Sequence, residues 1–145
     1  MDLENWRRMG ISEDFAEKQL EVIRAYRRLG VELTLTCTPY LVGNHPAPGE
    51  HVCWGESSAV AFANSVLGAR TNREGSVKAI VAAVAGLTPA YGMHSEENRR
   101  PTVLVDVDEE LEGTTEFSLL GYLVGELYPH AVPLLRGVRD ASIDE

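Results

Sequence analysis

The sequence has few basic residues, few cysteines and no long hydrophobic run, and each shortage excludes a class of protein. Lys and Arg number 13 against 22 Asp and Glu, so the formal net charge is −9. This balance excludes a nucleic-acid-binding protein, which needs a basic face, and a polybasic membrane-surface protein. No apolar run reaches the roughly 20 residues that cross a bilayer. Two cysteines cannot build a disulfide framework, so we expect a reducing, cytoplasmic location.

The residues that are present fit one soluble globular domain. The chain has 145 residues, of which 44% are hydrophobic and 24% are charged, and no shift in composition marks a second domain. Apolar residues recur at helical spacing in some segments and alternate with polar residues in others. We therefore predict a single α/β domain over residues 1–145, a sheet with flanking helices. The predicted helices cover about 12–29, 57–67, 77–85 and 114–127, and the predicted strands cover 31–37, 102–107 and 131–135.

The end of the sequence carries a signal that opens a helix. Ser142 is followed three positions later by Glu145, which is the pattern of a capping box. A helix start with no helix behind it is typical of a chain cut from a longer protein. We therefore expect the chain to be a fragment.

The middle of the chain has the composition of a pocket wall. Between positions 33 and 69 only Glu50 and Glu56 are formally charged, and the segment is rich in Gly, Pro and uncharged polar residues. Directly after it come Arg70 and Arg73, whose guanidinium groups can bind an anion through paired hydrogen bonds. The alternative is a buried crossover followed by a solvated basic turn.

Cys37 lies at the end of a predicted strand, just before Pro39. A thiolate there would point into the crevice at the carboxyl ends of the strands, where it could bind a metal or a cluster. The alternative is a buried structural cysteine, which is the commoner fate of a single Cys. Another alternative is a zinc site built from Cys37, Cys53, His45 and His51, although their spacing matches no standard zinc pattern.

Five blocks of residues together form a recognisable set. They are Cys-Thr-Pro-Tyr at 37–40, Trp-Gly-Glu-Ser-Ser-Ala at 54–59, the long run at 64–75, Tyr-Gly-Met-His at 91–94 and Leu-Gly-Tyr at 120–122. This set resembles the large-subunit domain of the aconitase X family, whose members are hydro-lyases. The resemblance implies a dehydratase of (R)-5-phosphomevalonate, in an archaeal mevalonate pathway of isoprenoid biosynthesis, or of cis-3-hydroxy-L-proline. The acidic composition, rich in Glu and Arg, is similar to that of archaeal members, and this resemblance favours phosphomevalonate.

The resemblance also implies a cofactor and a partner. The family's large subunit is longer than this chain and holds an iron–sulfur cluster or iron through cysteines, the first of which Cys37 matches. The remaining ligands belong to motifs beyond Glu145, and a small swivelling subunit or domain carries a catalytic serine base. We therefore expect an aconitase-like domain fragment that is inactive alone.

The substrate implied by the resemblance is a small anionic hydroxy acid, whose carboxylate or phosphate needs fixed hydrogen-bond donors. The candidates for substrate binding are Ser57, Ser58, Asn64, Ser65, Arg70, Thr71, Asn72 and Arg73. Glu56 and His94 are the candidates for catalytic proton transfer. The alternatives are that Glu56 caps the backbone and that His94 is a buried histidine with satisfied hydrogen bonds. We expect Cys37 to face the two arginines across a dry crevice.

A different class of function fits the same residues. The chain would then be a non-catalytic binding or assembly module that has kept the fold and lost the chemistry. In either case a truncated α/β sheet exposes an edge and apolar faces, so we expect the fragment to form homo-oligomers.

Overall fold

The computed structural model describes residues 2–138, which divide into two compact units between His94 and Ser95. The expectation of one domain over residues 1–145 stays a prediction. The capping box at 142–145 lies outside the described residues. None of the helices between residues 2 and 138 combines the length and the apolar character that crossing a membrane requires.

The first unit begins with the helix that the sequence predicts. Helix α1 spans Glu13–Arg28, and the Ser12 hydroxyl at its N-cap accepts a hydrogen bond from the Phe15 N–H at 3.4 Å. Acidic residues lie in its first turn and basic residues in its last, as the helix dipole favours. The buried apolar residues of this unit are Trp6, Ala16, Ala59, Ala63 and Ala69.

The predicted strand over 31–37 is wrong. Leu35 has a φ of 50°, in the left-handed region, and Cys37 is exposed. Within residues 2–138 no neighbouring segment forms a backbone ladder with this stretch, and the Thr38 N–H instead donates locally to the Thr36 hydroxyl at 3.1 Å. Alternation of apolar and polar residues shows that two faces differ, but a strand also needs a partner.

Two further helices frame the middle of the first unit. Helix α2 spans Ser57–Ser65 and buries Ala59 and Ala63, one turn apart, while helix α3 spans Ser76–Ala85. Both were predicted, and α2 ends two residues before the expected position. A 3-10 turn spans Pro39–Val42. The Tyr40 ring of this turn stacks on Phe62 of α2, with ring centroids 3.9 Å apart.

Two extended stretches, which we call the paired segments, lie side by side over 49–54 and 68–74. The Arg70 N–H donates to the Glu50 carbonyl at 2.8 Å, and the Val52 N–H donates to the Arg70 carbonyl at 2.9 Å. The Glu74 N–H continues the pattern by donating to the Trp54 carbonyl at 2.9 Å. The paired segments therefore hold residues 70–74 in a fixed register behind α2.

The second unit is a β-α-β arrangement. Strand β1 spans Val103–Asp106, helix α4 spans Gly113–Leu127 and strand β2 spans Pro133–Arg136. The two strands are parallel, with Val103 opposite Pro133, and an ion pair joins Asp106 to Arg136 at the other end. All three elements were predicted, and helices with a parallel sheet confirm the α/β class.

Candidate functional site

Residues 70–74, which we call the arginine turn, are anchored from inside by two polar residues. Thr71 is fully buried, and its hydroxyl accepts from the Trp54 N–H at 3.1 Å and donates to the Asn72 carbonyl at 2.7 Å. The Asn64 amide donates to the carbonyls of Thr71, at 2.8 Å, and Val60, at 2.9 Å. These contacts tie the arginine turn to α2, so Asn64 and Thr71 hold the turn in place.

The arginine turn is also fastened to residues 91–94. The Asn72 amide donates to the Tyr91 carbonyl at 3.1 Å and accepts from the Met93 N–H at 2.7 Å. Gly92, between them, has a φ of 57°, and a Cβ there would overlap the Asn72 amide. Arg70 adds a hydrogen bond from Nη1 to the His94 carbonyl at 3.2 Å. The turn and this loop therefore form one rigid corner.

Arg73 differs from Arg70 because its side chain is exposed. Within residues 2–138 the structure gives the Arg73 guanidinium no hydrogen bond and no ion pair. Its backbone lies between Asn72 and Glu74, both of which are fixed. A guanidinium in this setting can receive a carboxylate or a phosphate in a bidentate manner.

Glu74 is a buried acid that the sequence analysis did not select. Its side chain is only 3% exposed, and Lys78 Nζ lies 2.6 Å from Oε2. The Tyr91 hydroxyl donates to Oε1 at 3.2 Å. Burial pushes the pKa of Glu74 upward, but hydrogen bonds from Lys78, Asn72 and Tyr91 outweigh it and hold the pKa below its ordinary value. The four-residue spacing of Glu74 and Lys78 is a signal that the sequence does offer.

His94 is buried, as its alternative interpretation predicts, and pairs with His51. Their Nδ1 atoms are 2.8 Å apart, so one ring donates to the other, and Thr88 Oγ1 lies 3.5 Å from His94 Nε2. Burial, followed by the nearby His51, lowers the pKa of His94 below its ordinary value. His94 is therefore a neutral, hydrogen-bonded imidazole at neutral pH, and its catalytic role stays a prediction.

His51 also lines a cleft of about 620 Å³ on the first unit. The cleft lies between the first paired segment and the small side chains of α3. It is lined by Asn44, His51, Val52, Cys53, Trp54, Ala79, Ala82, Ala83, Gly86, Leu87, Thr88 and Ala90. Burial raises the pKa of the Cys53 thiol, so this cysteine is held in its neutral form.

Glu56 and the serines of α2 are distributed along the helix. The Glu56 carboxylate caps α2 by accepting from the Ser57 N–H at 3.2 Å and from its hydroxyl at 3.4 Å. Ser58 is exposed beside this cap, whereas Ser65 is exposed at the far end, about 12 Å along the helix axis at 1.5 Å per residue. Among the predicted substrate-binding residues, a hydrogen bond joins Asn64 to Thr71 in the arginine turn, whereas Ser58 and Ser65 lie towards opposite ends of α2.

Cys37 does not sit in a formed metal site. Among residues 2–138 no group of three or more His, Cys, Asp or Glu side chains is arranged to hold a metal ion. The zinc alternative is therefore wrong: His45 binds the Tyr40 carbonyl and Cys53 lines the cleft. The described residues also lack the ligands for a complete iron centre, because Cys37 is a single exposed thiol. We expected Cys37 to face the arginines from the end of a strand. That strand is not formed, and the facing arrangement stays a prediction.

Comparison with known proteins identifies the family. Residues 1–97 match the family described as "Aconitase X first domain". The chain belongs to the aconitase X family. The match ends close to the boundary between His94 and Ser95, so the first unit corresponds to the first domain of aconitase X.

Named aconitase X relatives fall into two groups. The phosphomevalonate dehydratase large subunit of Methanothermobacter thermautotrophicus is 52% identical over 145 residues, which cover 100% of this chain and 36% of that protein. The cis-3-hydroxy-L-proline dehydratase of Pseudomonas aeruginosa is 38% identical over 146 residues, which cover 99% of this chain and 25% of that protein. The chain thus spans about a third or less of the relatives' length.

A solved structure of aconitase X has the same fold. The holo-form of aconitase X from Thermococcus kodakaraensis is 48% identical and superimposes with a TM-score of 0.81. The match covers 90% of this chain and 34% of that one. The predicted resemblance to aconitase X is therefore confirmed in both sequence and structure.

Proposed function

We propose that the protein to which this chain belongs is a hydro-lyase that removes water from (R)-5-phosphomevalonate. The arginine turn carries the proposal, because it presents an exposed guanidinium between two fixed residues. Relatives named as phosphomevalonate dehydratase large subunits are 52% and 51% identical to this chain, against 38% and 36% for those named as hydroxyproline dehydratases. A guanidinium also binds a phosphate group strongly through two parallel hydrogen bonds, and phosphomevalonate carries such a group.

The site residues take unequal roles in this proposal. Arg73 binds the anionic group of the substrate, while Arg70, Asn64, Thr71 and Asn72 keep the turn rigid. The N-terminal end of α2 supports a second anion less well. There the Glu56 carboxylate already accepts from Ser57, and an incoming anion would meet its negative charge. Binding by Ser57, Ser58 and Ser65, and proton transfer by Glu56 or His94, stay predictions.

We extend the proposal to the cofactor and the partner. Cys37 would contribute one thiolate to an iron or iron–sulfur centre of the full-length protein, since its thiol is exposed. The other ligands would come from polypeptide other than residues 2–138. A small subunit is the proposed partner, because the phosphomevalonate dehydratase relatives are named as large subunits. The two cysteines, which do not pair with each other, support a cytoplasmic location.

A chimera tests the proposed reaction. This chain would replace the matching 36% of the Methanothermobacter thermautotrophicus large subunit, combined with the small subunit of that enzyme. We expect water loss from 5-phosphomevalonate, measured as alkene formation. Turnover of cis-3-hydroxy-L-proline alone would favour the second candidate substrate. A folded chimera that turns over neither compound would favour a non-catalytic module.

The role of Arg73 has its own test in the same chimera. Loss of a hydrogen-bonded charge pair weakens binding by about tenfold to a hundredfold, so Arg73→Ala should raise KM for phosphomevalonate by that factor. Arg24→Ala is the matched control, because Arg24 is an exposed arginine on α1. Equal KM values for the two variants would remove Arg73 from the substrate site.

A further inference from the structure

A cluster of three side chains includes Glu74, the last residue of the arginine turn. The Tyr91 hydroxyl accepts from Lys78 Nζ at 2.7 Å and donates to Glu74 Oε1 at 3.2 Å. Lys78 Nζ lies 2.6 Å from Glu74 Oε2 and 4.4 Å from the centroid of the Tyr91 ring. We propose that Tyr91, Lys78 and Glu74, which we call the Tyr91 cluster, position Arg73 for the anionic group of the substrate. This inference rests on the proposed function.

The cluster acts on Arg73 through the residues on either side of it. Glu74 follows Arg73 directly, and its carboxylate is locked to Tyr91 and Lys78. Asn72 precedes Arg73, and its amide is hydrogen-bonded to the backbone of Tyr91 and of Met93. The backbone on both sides of Arg73 is therefore held by the loop that carries Tyr91.

Such a device matters because an arginine side chain is flexible. Fixing it on a bound anion costs side-chain entropy, and any freedom of its backbone would add to this cost. A rigid backbone confines the guanidinium to a smaller volume before the substrate arrives. The Tyr91 cluster would thus lower the cost of binding without touching the substrate.

Burial distinguishes the cluster from a surface ion pair. The Glu74 side chain is 3% exposed, while those of Lys78 and Tyr91 reach solvent. A carboxylate shielded to this degree stays charged only if its partners stay in place. Its position is therefore defined by its partners, whereas an exposed pair such as Lys18–Asp14 can exchange freely with water.

A double-mutant cycle in the chimera tests whether Tyr91 acts through Arg73. Tyr91→Phe keeps the ring and removes the hydroxyl. We expect KM for phosphomevalonate to rise about two- to tenfold, the effect of one lost hydrogen bond, while kcat changes less than twofold. In a chain that already carries Arg73→Ala, Tyr91→Phe should change KM no further. The affinity for phosphomevalonate, measured by calorimetry, should show the same coupling between Tyr91 and Arg73.

The controls separate positioning from stability and from the proposed function. Tyr122→Phe, at an exposed tyrosine of α4, should leave KM unchanged. If Tyr91→Phe lowers the urea midpoint of the chimera, Lys78→Gln repeats the cycle and should show the same coupling to Arg73. If Tyr91→Phe raises KM equally in chains with and without Arg73, or does not raise it at all, only the positioning role is overturned. No effect of Arg73→Ala overturns the substrate site and the positioning role together.

Discussion

At the scale of single residues, the paired histidines of the first unit leave room for only one proton at their shared contact. His51 and His94 face each other through their Nδ1 atoms, and Arg70 and Lys78 also disfavour a positive charge on His94. Glu74 opposes this, but burial is the largest influence. A buried neutral imidazole next to a second imidazole makes folding depend on pH, because the unfolded chain lets His94 take up a proton freely.

We predict that the first unit loses stability as the pH falls from 7 to 5. The pKa of His94 is lower in the folded state than its ordinary value of 6.5. At a pH below 6.5 the unfolded state therefore binds more protons than the folded state, and protonation favours unfolding. The contribution of neutral His94 to stability is complete only above pH 6.5. Urea midpoints followed by fluorescence of Trp6 and Trp54 would measure this. His94→Gln should flatten the pH dependence, whereas His45→Gln, at an exposed histidine, should not. An equally steep dependence in His94→Gln would contradict the assignment.

The two arginines show what residue types alone leave open. Arg70 and Arg73 were predicted together as substrate ligands, since a guanidinium suits an anion wherever it lies. Their surroundings differ because Arg70 bonds to the His94 carbonyl, 24 positions along the chain. Tyr91 was missed for the same reason, because contacts between distant positions are not visible in local spacing. The four-residue spacing of Glu74 and Lys78 is a local signal, but it does not show that Glu74 is buried.

At the scale of elements, Gly55 directly follows the first paired segment and lies so close to the second that a side chain is excluded there. A Cβ on Gly55 would lie 2.8 Å from the Glu74 carbonyl oxygen. Gly55 needs no left-handed φ, so the reason for glycine here is contact alone. The opposite case is Gly121 in the middle of α4, where a Cβ meets nothing within 4 Å.

We predict opposite effects of the same substitution at these two glycines. Gly55→Ala should destabilise the first unit by about 1–3 kcal/mol, because the paired segments must separate. Gly121→Ala should stabilise α4 by about 0.5–1 kcal/mol, because alanine favours a helix interior. Urea unfolding followed by tryptophan fluorescence reports on the first change, and far-UV circular dichroism reports on the second. A neutral Gly55→Ala would mean that the segments are not in close contact.

Local signals explain which elements the sequence could predict. Helix α1 has its cap, its charges and its apolar spacing within one stretch of chain, so its bounds were predicted closely. Strands β1 and β2 were found because each is a short apolar run and the two are each other's partners. The stretch at 31–37 has the same alternation and no partner in the described part of the chain, so the pattern misled. The paired segments lack any period, so neither was predicted as a strand.

At the scale of the whole molecule, large apolar side chains remain in contact with water. Helix α3 has no buried residue, and Val77, Val81 and Val84 on it are 74%, 60% and 59% exposed. These residues recur at helical spacing on one side, which we call the valine face. The chain spans only 36% of its Methanothermobacter thermautotrophicus relative, so the rest of a large subunit is available to cover this face.

We predict that a charge on the valine face leaves the stability of this chain unchanged and destabilises the chimera. Val81→Glu should change the free energy of unfolding of the isolated chain, measured with urea, by no more than about 0.5 kcal/mol, because an exposed site tolerates a charge. In the chimera it should lower the thermal midpoint and the folded yield, because burying an unpaired carboxylate is costly. Arg24→Glu, on the polar side of α1, serves as the control and should be tolerated in both. Equal loss in chain and chimera would show that Val81 already packs within this chain, and no loss in either would show that the valine face stays in water.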